Sequence, residues 1–446
     1  MNSKRPHRPE LLAPAGTLKS LRYAVAYGAD AVYVGVPRYS LRVRENEFDL
    51  PALERATAHI RAHNRKLYIA CNIAPHNRKV DTFLEDVAPM VALGPDALIL
   101  SDPGVIHLVR HHWPDMPIHL SVQANVVNYA AVEFWRQVGV SRIILSRELS
   151  LDEVEEIAQH GDGATELEVF IHGALCVAYS GRCLLSGYMN HRDANQGACT
   201  NACRWEYRLH EATQTETGDI VPKQDPATVA PPAKPVVASN PGLFLLEERQ
   251  RPGELMPIFE DDHGTYILNS KDLRAIRHIN RFISMGIHAL KIEGRTKSHF
   301  YVARTTQVYR AALNAALRGE PLLPEWLSDL ESLAHRGYTE GFYQRHTADA
   351  LQNYQAGRTE NHQQFVGEVI DQNEQSGTMT VAVKNRFEVG NELELMTPEG
   401  NCRFRLQHME SELGEKRLEA PGSGYTVVMP LPREGSAAFG LLIRRL

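Results

Sequence analysis

No stretch of this 446-residue chain runs to about 18 apolar residues, so no helix is expected to cross a membrane. The opening Met-Asn-Ser-Lys-Arg-Pro-His-Arg-Pro lacks the apolar core of an export signal. The chain is therefore expected in the cytoplasm with its thiols reduced. Positive charge is not in excess, since 48 Lys and Arg stand against 54 Asp and Glu, a net −6. Any contact with RNA must then come from a local basic patch rather than from the whole-molecule field. Neither G-x-S-x-G nor H-E-x-x-H occurs, which removes the local signatures of a serine-hydrolase elbow and a zinc-protease helix. No G-x-G-x-x-G follows the first expected strand, and this counts against an open dinucleotide-binding sheet.

What is present points to an α/β enzyme. Hydrophobic residues at 43% and charged residues at 23% supply a sizeable core, and the length asks for two domains. Short β-branched runs at 10–13, 31–36, 66–72, 97–101, 118–122, 142–146, 167–172 and 289–293 alternate with helical patterns at 18–27, 53–63, 80–93, 130–138 and 151–159. This alternation fits a TIM-like (β/α)8 barrel over residues 8–300. An insertion at about 208–264 interrupts it, with a Pro/Ala/Thr-rich part at 214–240, a hairpin from 243–247 and 255–259, and an extra strand at 265–269. Ser270 reads as the cap of a helix at 273–285. A helical linker region covers 301–360, and short strands between turn signals from 365 to 446 read as a small β-barrel. The helix over 299–317 is amphipathic, and Arg304 and Arg310 read as part of a solvated face, with a phosphate-contacting face as the alternative.

Most expected strands end in polar residues: Asn72, Ser101-Asp102, Gln123-x-Asn125, Ser146-Arg147-Glu148, His172 and Glu293-Gly294-Arg295. In a barrel these ends form the catalytic face. A planar guanidinium binds carboxylate or phosphate through two hydrogen bonds, so Arg147 and Arg295 at one mouth suit a dianion. An ion pair with the neighbouring Glu148 or Glu293 is the competing role of each.

Four of the six cysteines, Cys176, Cys183, Cys199 and Cys203, are spaced C-x6-C-x15-C-x3-C just after the seventh strand. Clustering of this kind favours a metal over four unrelated buried thiols. Structural zinc usually shows two tight C-x2-4-C pairs, and only Cys199 and Cys203 are that close. Iron–sulfur ligation tolerates irregular spacing, so a [4Fe-4S] cluster is the preferred reading and zinc the alternative. Spacing alone does not choose between them, nor between Cys203 and a Cys71 brought near by folding.

The run Glu168-x-Phe170-x2-Gly173-Ala174-Leu175-Cys176-x4-Gly181-x-Cys183-x-Leu185-Ser186 resembles the signature of the collagenase-like peptidase family of unassigned mechanism. Glu10-Leu-Leu-Ala-Pro-Ala-Gly16, Gly28-Ala-Asp-Ala-Val-Tyr33 and Lys291-Ile-Glu-Gly-Arg-Thr-Lys297 agree, and the likeness extends from about residue 8 to the C-terminus. Asn72–Asn77, Leu120–Asn125 and 335–342 are most similar to members that serve tRNA hydroxylation. The resemblance implies prephenate-dependent hydroxylation of the wobble uridine to 5-hydroxyuridine, the first step toward 5-carboxymethoxyuridine. It implies prephenate as co-substrate, an iron–sulfur cluster loaded by the assembly machinery, and tRNA, through its anticodon region, as partner. Under it the four cysteines are ligands, and Arg147 and Arg295 clamp carboxylates. His172, Glu148 and Glu168 are proton-transfer candidates, while Asn72, Gln123, Asn125 and Lys297 are candidates for substrate contact. Proteolysis and passive RNA binding are the alternative functions.

Overall fold

The computed structural model describes residues 8–40, 47–161, 163–174, 178–179, 182–183, 207–214, 220–222, 243–248, 253, 255–261, 264–267, 271–333, 337–344 and 363–445. Eight parallel strands close into a barrel: β1 (Glu10–Ala15), β2 (Ala31–Gly35), β3 (Lys66–Ala70), β4 (Ala97–Leu100), β5 (Ile118–Leu120), β6 (Arg142–Ile144), β7 (Glu166–Ala174) and β8 (Ala289–Ile292). They pair in sequence order, and β8 closes the ring by pairing with both β7 and β1. These are the eight strands expected from the apolar runs. Covered on both faces, β2 and β4 are buried at every residue, which is why they read as continuous apolar stretches.

Helices α1 (Leu18–Ala26), α2 (Leu50–Ala62), α3 (Phe83–Ala92), α4 (Pro103–His112), α5 (Tyr129–Gln137), α6 (Leu151–His160), α7 (Ile279–Ser284) and α8 (His299–Leu317) accompany the strands. Six of these eight start at a short polar side chain that accepts an otherwise unpaired amide, all but α3 and α7. Asp49 takes Ala52 N–H at 2.9 Å, Asp102 takes Val105 N–H at 2.9 Å, and Asn128 takes Ala131 N–H at 2.8 Å. Ser150 and Glu153 form a reciprocal capping box at α6.

A cluster of charges is buried among the apolar barrel strands. Arg142, at 2% exposure, lies 2.7 Å from Glu10, 2.6 Å from Glu166 and 3.3 Å from Glu168. Lys291 lies 2.9 Å from Glu168, and Lys66 lies 3.0 Å from Glu10. Glu10, Glu168, Arg142 and Lys291 thus pair two carboxylates with two cations away from water, which offsets the desolvation that would expel any one alone, while Glu166 and Lys66 reach the solvent. Tyr68 donates its hydroxyl to Glu10 at 2.8 Å, and the His119 ring packs edge-on against Tyr68. Burial and the Arg142 charge hold His119 well below the usual imidazole range, so it is neutral.

Barrel and C-terminal module belong to one compact unit, which comprises Met1–His172, Ala275–Leu333 and Asn361–Leu446. The expected β-barrel at the C-terminus is realised as an eight-strand antiparallel sheet wrapped around its own core of Val366, Met379, Val381, Phe387, Leu395 and Met429. Its main strands are β9 (Gln363–Asn373), β10 (Thr378–Val383), β11 (Glu392–Thr397), β12 (Gly400–Arg405), β13 (Thr426–Pro430) and β14 (Leu441–Arg445). The module docks on α1 and α8. Tyr23 donates to Glu368 at 2.9 Å, and the Tyr27 hydroxyl lies 3.0 Å from the Met396 carbonyl. Arg304 is not on a solvated face: it is fully buried and ion-paired to Glu394. Arg310 is also drawn in, with Nε donating to the Gly28 carbonyl at 2.8 Å and the guanidinium paired to Asp30. Helical periodicity registered the polarity of that face but not the sheet that covers it.

The second unit comprises Gly173–Arg274 and Ala334–Glu360. The departure from the barrel is therefore longer than the 208–264 that composition marks. Within it Ile220–Pro222, Tyr207–Gln214, Leu243–Glu248, Leu255–Asp261 and Gly264–Ile267 form an antiparallel sheet in that order, which contains the expected hairpin and extra strand. The helix expected at 273–285 is shorter, because Asp272–Arg274 pairs in parallel with Tyr338–Thr339 and the helix begins only at Ile279. Most of the proline-rich 214–240 lies outside the described residues.

Candidate active site

Two-residue alternation places Lys291 and Glu293 in succession at the end of β8, and Arg295 follows in the turn after Gly294. Lys291 points into the barrel throat, where its ammonium stands 4.4 Å from the Tyr33 ring centre and 5.5 Å from that of Phe170. Burial pulls its pKa down, against the opposing pull of Glu168. Glu293 and Arg295 follow at the C-terminal end of the strand, the face on which barrel enzymes carry their chemistry.

The two arginines sit on aromatic rings. The Arg147 guanidinium, from the turn after β6, lies 3.7 Å from the centre of Phe170 on β7. Its Nη2 reaches Glu293 Oε2 at 3.1 Å. Arg295 leaves β8 toward β2, donating Nη1–H to Ser40 Oγ at 2.5 Å with the Tyr33 ring centre 5.9 Å away. It is 7% exposed. The pairing is thus crossed: Arg147 takes Glu293 rather than Glu148, and Arg295 takes Ser40 as well as the groups around Tyr33. Glu148 is half-buried beside Arg147.

A polar edge forms at the ends of β3 and β5. Asn72 donates its amide to Gln123 Oε1 at 2.6 Å and to Ser121 Oγ at 3.2 Å. Asn125 adopts a left-handed backbone, φ 51°, and donates to the Gln123 carbonyl at 3.0 Å, which fixes the turn Val122–Ala124. Lys297 places its ammonium 5.3 Å from the Tyr301 ring, in the turn before α8. Cys71 ends β3 as a buried thiol, its pKa pushed up to about 12 by burial against the opposing charge of Arg295.

Two of the three proton-transfer candidates lie elsewhere. Glu168 is fully buried inside the barrel and is held by Arg142 and Lys291, a placement that suits a structural charge. His172 is 1% exposed and faces α8. The β7–β8 register shifts between Lys291 and Ile292, and this irregularity aligns His172 with Ile292. The Tyr309 hydroxyl donates to the Ile171 carbonyl at 2.8 Å and lies 3.2 Å from His172 Nδ1. With that hydroxyl hydrogen already used, Nδ1 carries a hydrogen and donates to the tyrosine oxygen.

Cys176, Cys199 and Cys203 lie outside the described residues. Cys183 is described only by its backbone, in a two-residue strand, Arg182–Cys183, that pairs antiparallel with Ala178–Tyr179. Among the described residues no group of three or more His, Cys, Asp and Glu is placed to hold a metal. Ser40, Tyr33, Phe170 and Lys291 were not singled out from sequence as site residues. Period-two spacing could have found Lys291, and Tyr33 closes a segment already noted, but nothing local marks Ser40.

A closed parallel barrel with cationic and amide groups gathered at its C-terminal rim is the architecture of a (β/α)8 enzyme. The chain belongs to peptidase family U32, whose model matches residues 16–353, with the family's C-terminal domain matching residues 361–444. It is 58% identical over 441 residues to tRNA hydroxylation protein P of Escherichia coli, covering 98% of this chain and 97% of that one. It is 53% identical over 446 residues to tRNA hydroxylation protein P of Haemophilus influenzae, covering 98% and 96%. Similarity extends at 29% identity over 352 residues to the 23S rRNA 5-hydroxycytidine C2501 synthase of Escherichia coli, covering 77% of this chain and 46% of that one.

Proposed function

We propose that this chain hydroxylates tRNA, converting the wobble uridine to 5-hydroxyuridine with prephenate as co-substrate. The observation that carries the reaction class is the 58% identity, nearly end to end, with tRNA hydroxylation protein P of Escherichia coli. Prephenate has two carboxylates, and the rim offers Arg147 and Arg295 to receive them through paired charge-assisted hydrogen bonds. In the ligand-free arrangement Glu293 occupies Arg147 at 3.1 Å, so an incoming carboxylate competes for bonds that this side chain holds. Phe170 and Tyr33 wall the guanidinium groups against water, which strengthens each charge they bind. Asn72 and Gln123 offer amide donors and acceptors to the uracil edge, and Lys297 a cation to a phosphate. Glu148, half-buried beside Arg147, is the carboxylate placed to move a proton at the rim.

The four cysteines Cys176, Cys183, Cys199 and Cys203 would hold an iron–sulfur cluster, [4Fe-4S] in this reading, loaded by the cellular assembly machinery. The donor set fits such a group: four thiols in one short stretch of sequence, with a hairpin that brings Cys183 level with Ala178, two residues after Cys176 in sequence. When bound, the cluster supplies one-electron chemistry. Cys71 follows β3 as a buried thiol and is the alternative to Cys203 as fourth ligand. No helix among the described residues is long and apolar enough to cross a membrane, in keeping with action on cytoplasmic tRNA.

Nucleoside mass spectrometry of tRNA from a strain lacking this chain tests the reading. Loss of 5-carboxymethoxyuridine, restored by complementation, is the expected result; an unchanged nucleoside pool rejects it.

A further inference from the structure

Arg295 reaches the rim by lying across the backbone of β2, and the space it uses is the side-chain space of Gly35. A Cβ on Gly35 would stand 1.7 Å from Arg295 Nη1, 3.0 Å from its Cζ and 2.5 Å from Ser40 Oγ. The 1.7 and 2.5 Å contacts cannot coexist with the present side-chain positions, so an added Cβ forces the Arg295 guanidinium, the far end of a long side chain, out of the recess and crowds Ser40, which is 1% exposed. Gly35 is not among the residues with positive φ, so the backbone itself would accept alanine. What the position requires is emptiness, not a special conformation.

The chain after β2 is folded to complete the same recess. Arg38 turns it with a left-handed backbone, φ 73°, and Ser40 N–H donates to the Val36 carbonyl at 3.1 Å. Ile73 N–H donates to the Tyr39 carbonyl at 3.1 Å, which ties the turn to the segment after β3. Tyr39 donates to Asp86, a carboxylate that also receives Arg38 at 2.7 Å. Ser40 is thereby returned over Gly35, where its hydroxyl accepts from Arg295 at 2.5 Å.

We propose that Gly35 and Ser40 form a seat that fixes the plane of the Arg295 guanidinium, and that they are the positioning residues of the dicarboxylate site. This rests on the reading that Arg295 binds a carboxylate of prephenate. Bidentate recognition depends on the orientation of the fork as well as on its charge, so an arginine displaced from the seat keeps its charge and loses its grip. The seat also explains why lysine is not equivalent at position 295: an ammonium cannot span the recess and present a second edge.

The test uses the full-length protein as purified with its metal complement, and four variants: Gly35→Ala, Ser40→Ala, Arg295→Ala and the Gly35→Ala/Arg295→Ala pair. Phenylglyoxal labelling of Arg295, followed by peptide mass spectrometry, reads the seat without reference to catalysis. Labelling should be at least severalfold faster in Gly35→Ala than in the parent, and an unchanged rate overturns the seat. KM for prephenate should rise on the order of 10- to 100-fold in Gly35→Ala, the loss expected for a charge-assisted pair. In the Arg295→Ala background the same change should cost less than about twofold, because contacting positions are not additive. An equal loss in both backgrounds means that Gly35 acts through the strand and contradicts the proposal. If Gly35→Ala fails to fold, Ser40→Ala decides by the same two readouts without added volume. An unchanged KM in Arg295→Ala, with fast labelling in Gly35→Ala, would remove the carboxylate reading while leaving the seat as a structural fact.

Discussion

Arg304 Nη2 on α8 stands 2.6 Å from Glu394 Oε1 on β11, and both side chains are sealed from solvent. The pair joins the barrel's last helix to the C-terminal sheet. Asp329 lies 3.6 Å from Arg304, and Arg445 and Arg403 lie 3.1 and 3.8 Å from Glu394, so three guanidinium groups surround two carboxylates. Arg304→Met alone should destabilise the chain by about 3 kcal/mol, since it leaves a buried carboxylate short of its main partner. Arg304→Met combined with Glu394→Leu should recover most of that loss. Urea unfolding of the two proteins checks the order, and a double variant weaker than the single one would speak against a buried pair.

The same interface titrates. His299 packs against the rings of Tyr23 and Phe365, with Glu368 Oε2 at 3.7 Å and Lys19 and Lys384 nearby. Burial first, then the Lys19 charge, lowers its pKa to about 4 against an opposing pull from Glu368. An imidazole whose folded pKa lies below its unfolded value binds fewer protons when folded. Its contribution to stability is therefore complete above the unfolded pKa of about 6.5 and is lost as pH falls toward the folded value. Melting temperature should drop between pH 6.5 and pH 4, and His299→Phe, which keeps a ring in place, should flatten that slope. A parent protein with no slope in this window would contradict the burial.

Glu168 offers a contrast between structural and chemical roles. Glu168→Gln leaves Lys291 in the throat without the carboxylate 2.9 Å away, which should cost on the order of 3 kcal/mol. Turnover per folded molecule should change little. A stable, inactive Glu168→Gln protein would return this residue to the chemistry.

Much of this architecture can be read from the chain, and the gaps have physical causes. The barrel strands are legible because parallel strands buried on both faces are largely apolar, with β2 and β4 buried at every residue. His172 is read correctly at the end of β7, but the direction of its side chain is not legible because the irregularity there carries no compositional mark. The partner of Arg147 lies 146 residues away, whereas chain proximity favours Glu148. Arg304 looks solvated for a similar reason, since its cover is a sheet made of residues 90 positions later. Long-range contacts decide such side chains, and local pattern cannot.

The crossed pair at the rim gives a functional prediction. Glu293→Gln removes the charge that competes for Arg147, so KM for prephenate should fall severalfold. Arg147→Ala should raise it on the order of tenfold or more. Initial-rate measurements across prephenate concentrations check both. A higher KM in Glu293→Gln would mean that this carboxylate helps to bind the ligand.

The four clustered thiols carry the central claim and are tested most directly by complementation. Cys176→Ala, Cys183→Ala, Cys199→Ala and Cys203→Ala would each be expressed in a strain lacking the chain, with tRNA nucleosides read by mass spectrometry beside a Cys402→Ala control. Each of the four should abolish 5-hydroxyuridine and its descendants while the control preserves them. Full modification in any of the four would contradict the claim.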